Sequence, residues 1–216
     1  MAASRTVLSK PLTSRGTVTR RRIVEVAARL MHAHGVEGTS LDHVCVEAKV
    51  SKSQLYHYFA DKDALVREVI AAQTERVLAA QEPVLGKLDS RAALRTWAEM
   101  ILGLNRGATT GCPLGSLANE LASQSEATRV QLVAGFDAWA ERLSRGFAVM
   151  QSSGELKPSA SPRDLAICVL AAVQGGLLLA KTTHSTAPLA LALNMALKHV
   201  DAHRRVPDRR TSRARA

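Results

Sequence analysis

Apolar residues recur along this chain every three to four positions, and almost nowhere every second one. Ile23, Val26, Ala27, Leu30 and Met31 share one side of a helix, and Leu41, Val44, Cys45 and Ala48 follow at i, i+3, i+4 and i+7 on a second, shorter one. Ser51 and Gln54 stand in capping-box spacing, so a third helix opens at Ser51. In that helix Leu55 and Phe59 turn inward, while Lys52, Ser53, Gln54, Tyr56, His57 and Tyr58 turn away. Asp61 caps a fourth helix, carrying Leu65, Val69 and Ile70 to about Ala80, which Pro83 ends or kinks. The pattern then predicts a helix over Ser90 to Asn105 (Leu94, Trp97, Ala98, Ile101, Leu104), a Gly-rich break RGATTG, and a short helix from Pro113. A long helix from Glu126 to Gln151 follows (Val130, Val133, Phe136, Ala140, Leu143, Phe147, Met150) and stops at Gly154. One opened by Ser161 and a last one with Leu189, Leu193, Ala196, Leu197 and Val200 complete the chain. The fold expected is all-α, with about nine helices.

Two short helices joined by about three residues, the second presenting donors and a cation but no acid, describe a helix-turn-helix whose second helix lies in the major groove of DNA. A Gly-x-x-Gly turn, HAHGVEGTS, precedes it, with Thr39 or Ser40 as N-cap. The run from about Thr17 to Leu65, above all VSKSQLYHYFADKDAL, resembles the DNA-binding domain of the TetR-type transcriptional regulators. Leu55, Tyr56, Phe59, Asp61 and Lys62 match that family's pattern position by position. The resemblance implies that Tyr56, Lys62 and Thr39 or Ser40 hold phosphate, and that Ser53, Gln54 and His57 face the bases. Lys52 adds the cation of that face, and Tyr58 touches either phosphate or core. The turn position usually held by Gly in the family is Lys49 here, at a cost of about 1 kcal/mol in a left-handed conformation.

The net charge of +10 is concentrated in the tails. Residues 1–22 hold six Arg or Lys and no acid, and residues 203–216 hold six Arg and one acid, so the rest sums to about −1. The expected organisation is a basic arm over 1–16, the DNA-binding domain over 17–64, a ligand-sensing and dimerisation domain over 65–203, and a basic flexible tail over 204–216. Three scattered cysteines fit neither a disulfide framework nor a zinc site. The first 22 residues lack the apolar core of a signal peptide, and the longest apolar run, Leu165 to Ala180, falls short of about 18 uninterrupted residues. The expectation is a cytoplasmic protein without a membrane segment.

Small residues in the middle of the eighth helix, Ala171, Ala172, Gly175 and Gly176, admit close approach of another backbone, and the last two helices read as half of an intermolecular four-helix bundle. The TetR resemblance implies the same: a homodimer paired through its last two helices, binding palindromic double-stranded DNA, with a small-molecule site in the C-terminal domain. Its expected lining is Trp97, Met100, Leu117, Phe136, Trp139, Leu143 and Gln174, which points to a largely apolar effector. Cys112, in Gly-Cys-Pro at a helix N-terminus, is a candidate thiolate sensor of electrophiles or oxidants, or else a small buried hydrophobe. Cys45 and Cys168 read as structural. His199 and His203 stand at i and i+4 without further ligands, so no metal, cofactor or catalytic constellation is expected. The function expected is a ligand-responsive repressor and not an enzyme; a Cys112-switched repressor and a ligand-independent architectural DNA binder are the alternatives.

Overall fold

The computed structural model describes residues 13–106 and 111–205, so the arm before Thr13, most of the Gly-rich break and the tail after Arg205 lie outside it. Among the described residues the chain forms nine α-helices and no strand: α1 Ser14–His34, α2 Leu41–Ala48, α3 Lys52–Tyr58, α4 Lys62–Leu85, α5 Arg91–Leu104, α6 Pro113–Leu121, α7 Glu126–Ser152, α8 Pro162–Thr183 and α9 Ala187–Ala202. They fall into two compact units that divide between Ala72 and Gln73, within the continuous helix α4 and later than the boundary at 64/65 that the sequence suggests.

In the first unit, α1 opens earlier than its periodicity implies. Thr13 caps it, its hydroxyl accepting from the Gly16 amide at 3.2 Å, so residues 14–16 belong to the helix and not to an arm. Arg20, Arg21 and Arg22 therefore lie inside α1. Arg20 is paired with Glu68 at 2.8 Å and lies over the Phe59 ring, 5.4 Å from its centroid, which makes it a packing residue. The helix ends at Gly35 (φ 76°), and Gly38 must lack a side chain because a Cβ there would stand 2.3 Å from the His34 carbonyl oxygen. Lys49 holds the left-handed turn after α2 at φ 52°, ψ 51°, and the Val50 amide closes it on the Cys45 carbonyl at 3.0 Å. Ile23, Val44, Leu55, Phe59, Leu65 and Ile70 are buried in the core of this unit.

The second unit packs α8 against both α7 and α9, with α6 on α7 and α5 on α9. Pro83 does not end α4 at about Ala80: it lies inside the helix, two residues before Leu85, and lacks the N–H that would bond the carbonyl four residues back. Trp97 is fully buried and its indole N–H donates to Gln81 Oε1 at 2.9 Å. Three positions expected in the core are exposed: Leu104, Val130 and Val133. At the start of α7 the inward face is instead Thr128, Leu132, Gly135 and Trp139. Cys168 is exposed too, so it is not the core residue its neighbours imply. Helix α8 is longer than its uninterrupted apolar run and, by length and composition only, is long and apolar enough to cross a membrane; 44% of its most apolar window is buried within the protein, as in a core helix.

The end of α9 is tied to the α7–α8 connection. Arg91 at the start of α5 donates to Asp201 from Nε at 2.6 Å, its amide donates to Glu155 Oε2 at 3.1 Å, and Leu156 bridges Arg204. Arg204 and Arg205 are thus ordered partners of this connection, not tail. The hydrogen bond from Arg91 holds the Asp201 carboxyl below the usual carboxylate range. A carboxyl depressed in the folded state stabilises it above the unfolded pKa of about 4, and that contribution fades as pH falls through the lower folded value. Asp201→Asn is therefore expected to cost about 1 kcal/mol at pH 7 for this half-exposed pair, and to make stability less steep below about pH 4. Urea titrations of both proteins between pH 3 and 7 check the convergence.

Candidate nucleic-acid interface and effector cavity

The second helix of the helix-turn-helix is held by a complete capping box: Ser51 Oγ accepts from the Gln54 amide at 3.1 Å, and Gln54 Oε1 accepts from the Ser51 amide at 3.0 Å. Leu55 and Phe59 fix α3 to the core, and this rotation exposes Lys52, Ser53, Gln54, Tyr56 and His57 together, with Tyr58 half-buried. The Tyr58 ring meets His57 edge-on, with centroids 5.0 Å apart. Lys52 is paired with Asp42 of α2 at 2.8 Å, and that hydrogen bond raises its pKa, so it presents a fixed cation. Asp61 Oδ1 accepts from the Ala64 amide at 2.7 Å and sets Lys62, half-buried, in the first turn of α4. The face offers hydroxyl, amide, imidazole and ammonium donors of the kind that bind phosphate and base edges.

In the second unit an open cavity of about 410 Å³ lies between α6 and α8, with Phe136 of α7 on its wall. Gly111, Gly115, Ser116 and Ala118 leave the space on the α6 side and Gly175 on the α8 side; Gln174, Leu177, Leu178 and Lys181 project from α8. Cys112 caps α6, its sulfur accepting from the Gly115 amide at 3.4 Å. Burial pushes this thiol up, and the Gly115 amide and neighbouring Gln174 amide offset that only in part.

Two family descriptions match the chain: "Bacterial regulatory proteins, tetR family" over residues 23–69, and "Transcriptional regulator LmrA/YxaF-like, C-terminal domain" over 90–195. The chain belongs to the TetR family of transcriptional regulators. Among curated TetR-type relatives, the HTH-type transcriptional repressor DhaR of Mycobacterium sp. (strain GP1) is 23% identical over 80% of this chain and 87% of its own length. The uncharacterized HTH-type transcriptional regulator YxaF of Bacillus subtilis (strain 168) is 26% identical over 83% and 93%. The crystal structure of regulatory protein TetR from Rhodobacter sphaeroides superposes with a TM-score of 0.75 at 24% identity, covering 84% of this chain and 98% of that one. As a TetR-family member the chain is a DNA-binding transcriptional regulator.

Against this TetR frame the expected site residues divide. Ser40, not Thr39, caps α2, accepting from the His43 amide at 3.1 Å. Thr39 is 1% exposed and its hydroxyl donates to the Gly35 carbonyl at 2.8 Å, so burial removes it from the phosphate-binding set. Lys52, Ser53, Gln54, Tyr56, His57, Tyr58 and Lys62 remain on or beside the exposed face, although the side chain of Gln54 is spent on its cap. Of the expected effector residues only Phe136 and Gln174 line the cavity. Trp97, Leu117, Trp139 and Leu143 are packed in the core, and Met100 is half-buried away from the cavity lining. Of the two readings of Cys112, its surroundings favour the small buried residue over the thiolate sensor: burial raises the thiol's pKa more than the neighbouring hydrogen bonds lower it. Gly111, Gly115, Ser116, Asn119 and Lys181 were missed; their small or polar side chains carry no hydrophobic signal.

Proposed function

We propose that this chain is a cytoplasmic, homodimeric TetR-type repressor that binds a palindromic operator through α3 and is released when a small molecule occupies the cavity between α6 and α8. The observation that carries the reading is the capped α3 with its one-sided donor face. Two features of the second unit support the rest. Ile167 and Leu179 of α8 and Leu191 and Met195 of α9 are exposed apolar side chains on helices that already pack on each other, the kind of surface a second copy buries. The cavity falls within the range of about 300–1,000 Å³ found for small-molecule sites. Two copies present two α3 helices to half-sites about one turn of DNA apart. An effector must bind the released arrangement better than the DNA-bound one, since equal affinity shifts nothing. Helix α4, continuous from the first unit into the second, is the element that such a shift would move.

The roles on the DNA side separate by their effect on sequence preference. Lys62→Ala is expected to weaken binding to operator and unrelated DNA alike by several-fold and to reduce the salt slope by about one. His57→Ala is expected to alter which operator variants are preferred, with the affinity change depending on sequence. Fluorescence anisotropy over a salt series and a set of single-base operator variants reads both. A general loss from His57→Ala with a change of preference from Lys62→Ala overturns the assignment.

A further inference from the structure

Within the proposed effector site, whose regulatory role this inference takes from the preceding section, the polar groups are not those of a site for a plain hydrocarbon. Gln174 Nε2 is a buried donor without a hydrogen-bond partner of good geometry among the described residues, and its near neighbour is the Cys112 thiol. Its amide lies over α6, with Oε1 2.6 Å from where a Cβ on Gly115 would stand. Lys181 follows seven residues along α8, about 10 Å farther along the axis. Its stem covers Gly111, with Cδ 3.2 Å from the place of a Cβ there. Among the described residues its ammonium makes no ion pair. Gly111 immediately precedes the N-terminal end of α6, so Lys181 and the amide end of that helix mark the same end of the cavity. Glu120, the acid in the lining, lies eight residues beyond Cys112 along α6, about 12 Å away at the other end.

We infer that the cavity binds a small organic acid that carries a second acceptor oxygen. The carboxylate pairs with Lys181 at the Gly111 end. The second oxygen, a ketone or ether, accepts from Gln174 Nε2, and the body of the molecule lies along Phe136, Leu177 and Leu178. A buried donor without a partner is uncommon in native proteins and fits a site that a ligand completes, and charge-assisted pairing gives the head group its selectivity.

The test is calorimetry on the full chain with 3-benzoylpropionate, its primary amide, which lacks the charge, and 4-phenylbutyrate, which lacks the ketone. Lys181→Met, Lys181→Arg and Gln174→Leu are the variants, each retaining much of the side chain's bulk. The wild type is expected to bind the keto acid about ten-fold or more tightly than either analogue. Lys181→Met should erase the preference over the amide and Lys181→Arg keep it, while Gln174→Leu should erase only the preference over 4-phenylbutyrate. Acid and amide binding alike, preferences untouched by the variants, or no binding of any of the three overturns the inference. Operator release, read in parallel by anisotropy, keeps the two claims apart. Selective binding of the keto acid without release upholds this site and contradicts the effector mechanism. Release by a neutral molecule, with no acid bound, does the reverse.

Discussion

Leu191→Glu is expected to convert the protein to a monomer and to lower operator affinity by more than 100-fold. Leu191 is 70% exposed in the single chain, so the substitution leaves the core of its own unit untouched and the melting temperature of the monomer should change little. Its effect arises only if this face is covered by a second copy. A two-fold interface then brings in the new carboxylate twice, and a carboxylate buried without a partner costs several kcal/mol. Leu179→Glu, on the neighbouring face of α8 and 54% exposed, should behave alike. Sedimentation velocity gives the mass and anisotropy the operator affinity. A dimer that survives both substitutions would place the pairing surface elsewhere.

The second large effect concerns the glycine pair of α8. Gly176 faces α9: a Cβ there would stand 3.0 Å from Leu189 Cα and 3.0 Å from Ala192 Cβ. Backbone on one side leaves little room to yield, so Gly176→Val is expected to destabilise by about 2–3 kcal/mol through overpacking. For a chain of this size that lowers the melting temperature by roughly 2–4 °C per kcal/mol. Gly175 is exposed on the wall of the open cavity, with nothing within 4 Å of its would-be Cβ. Gly175→Ala should stabilise an isolated chain by up to about 1 kcal/mol through helix propensity. Any loss of dimer affinity it brings would measure how closely a second backbone approaches there. Thermal melts of both variants above and below the dimer dissociation constant separate the two effects. A harmless Gly176→Val would mean that the α8–α9 contact is looser than its geometry.

The first unit was legible in the sequence because its signals are local. Ser51 and Gln54 form their capping box within one turn, and Leu55 and Phe59 are placed by helical period alone. Thr39 was misplaced because the choice between adjacent caps depends on where the Gly35–Gly38 turn turns its hydroxyl. In the second unit the start of α7 misled. Val130 and Val133 carry the hydrophobic weight, but the inward face holds Thr128 and Gly135, and a Cβ on Gly135 would stand 2.7 Å from Thr74 Oγ1. Close packing selected a residue that periodicity cannot score. The cavity shows the same principle from the other side. Large aromatic residues fill space, so Trp97 and Trp139 are core, whereas a cavity opens where Gly111, Gly115, Ser116, Ala118 and Gly175 leave it unfilled. The pair in α8 likewise reads as one surface of small residues, yet Gly176 serves the packing on α9 and Gly175 opens onto the cavity.

Sequence-specific binding by a paired helix-turn-helix leaves a footprint on its operator, and DNA upstream of the protein's own coding region is the first place to look for it. With excess unrelated DNA present and salt raised in steps, one protected palindromic site is expected. Its half-sites should lie about one helical turn apart and its protection should be lost steeply with salt. Weak, unlocalised protection at every salt concentration, or a protected site without two-fold symmetry, would contradict it.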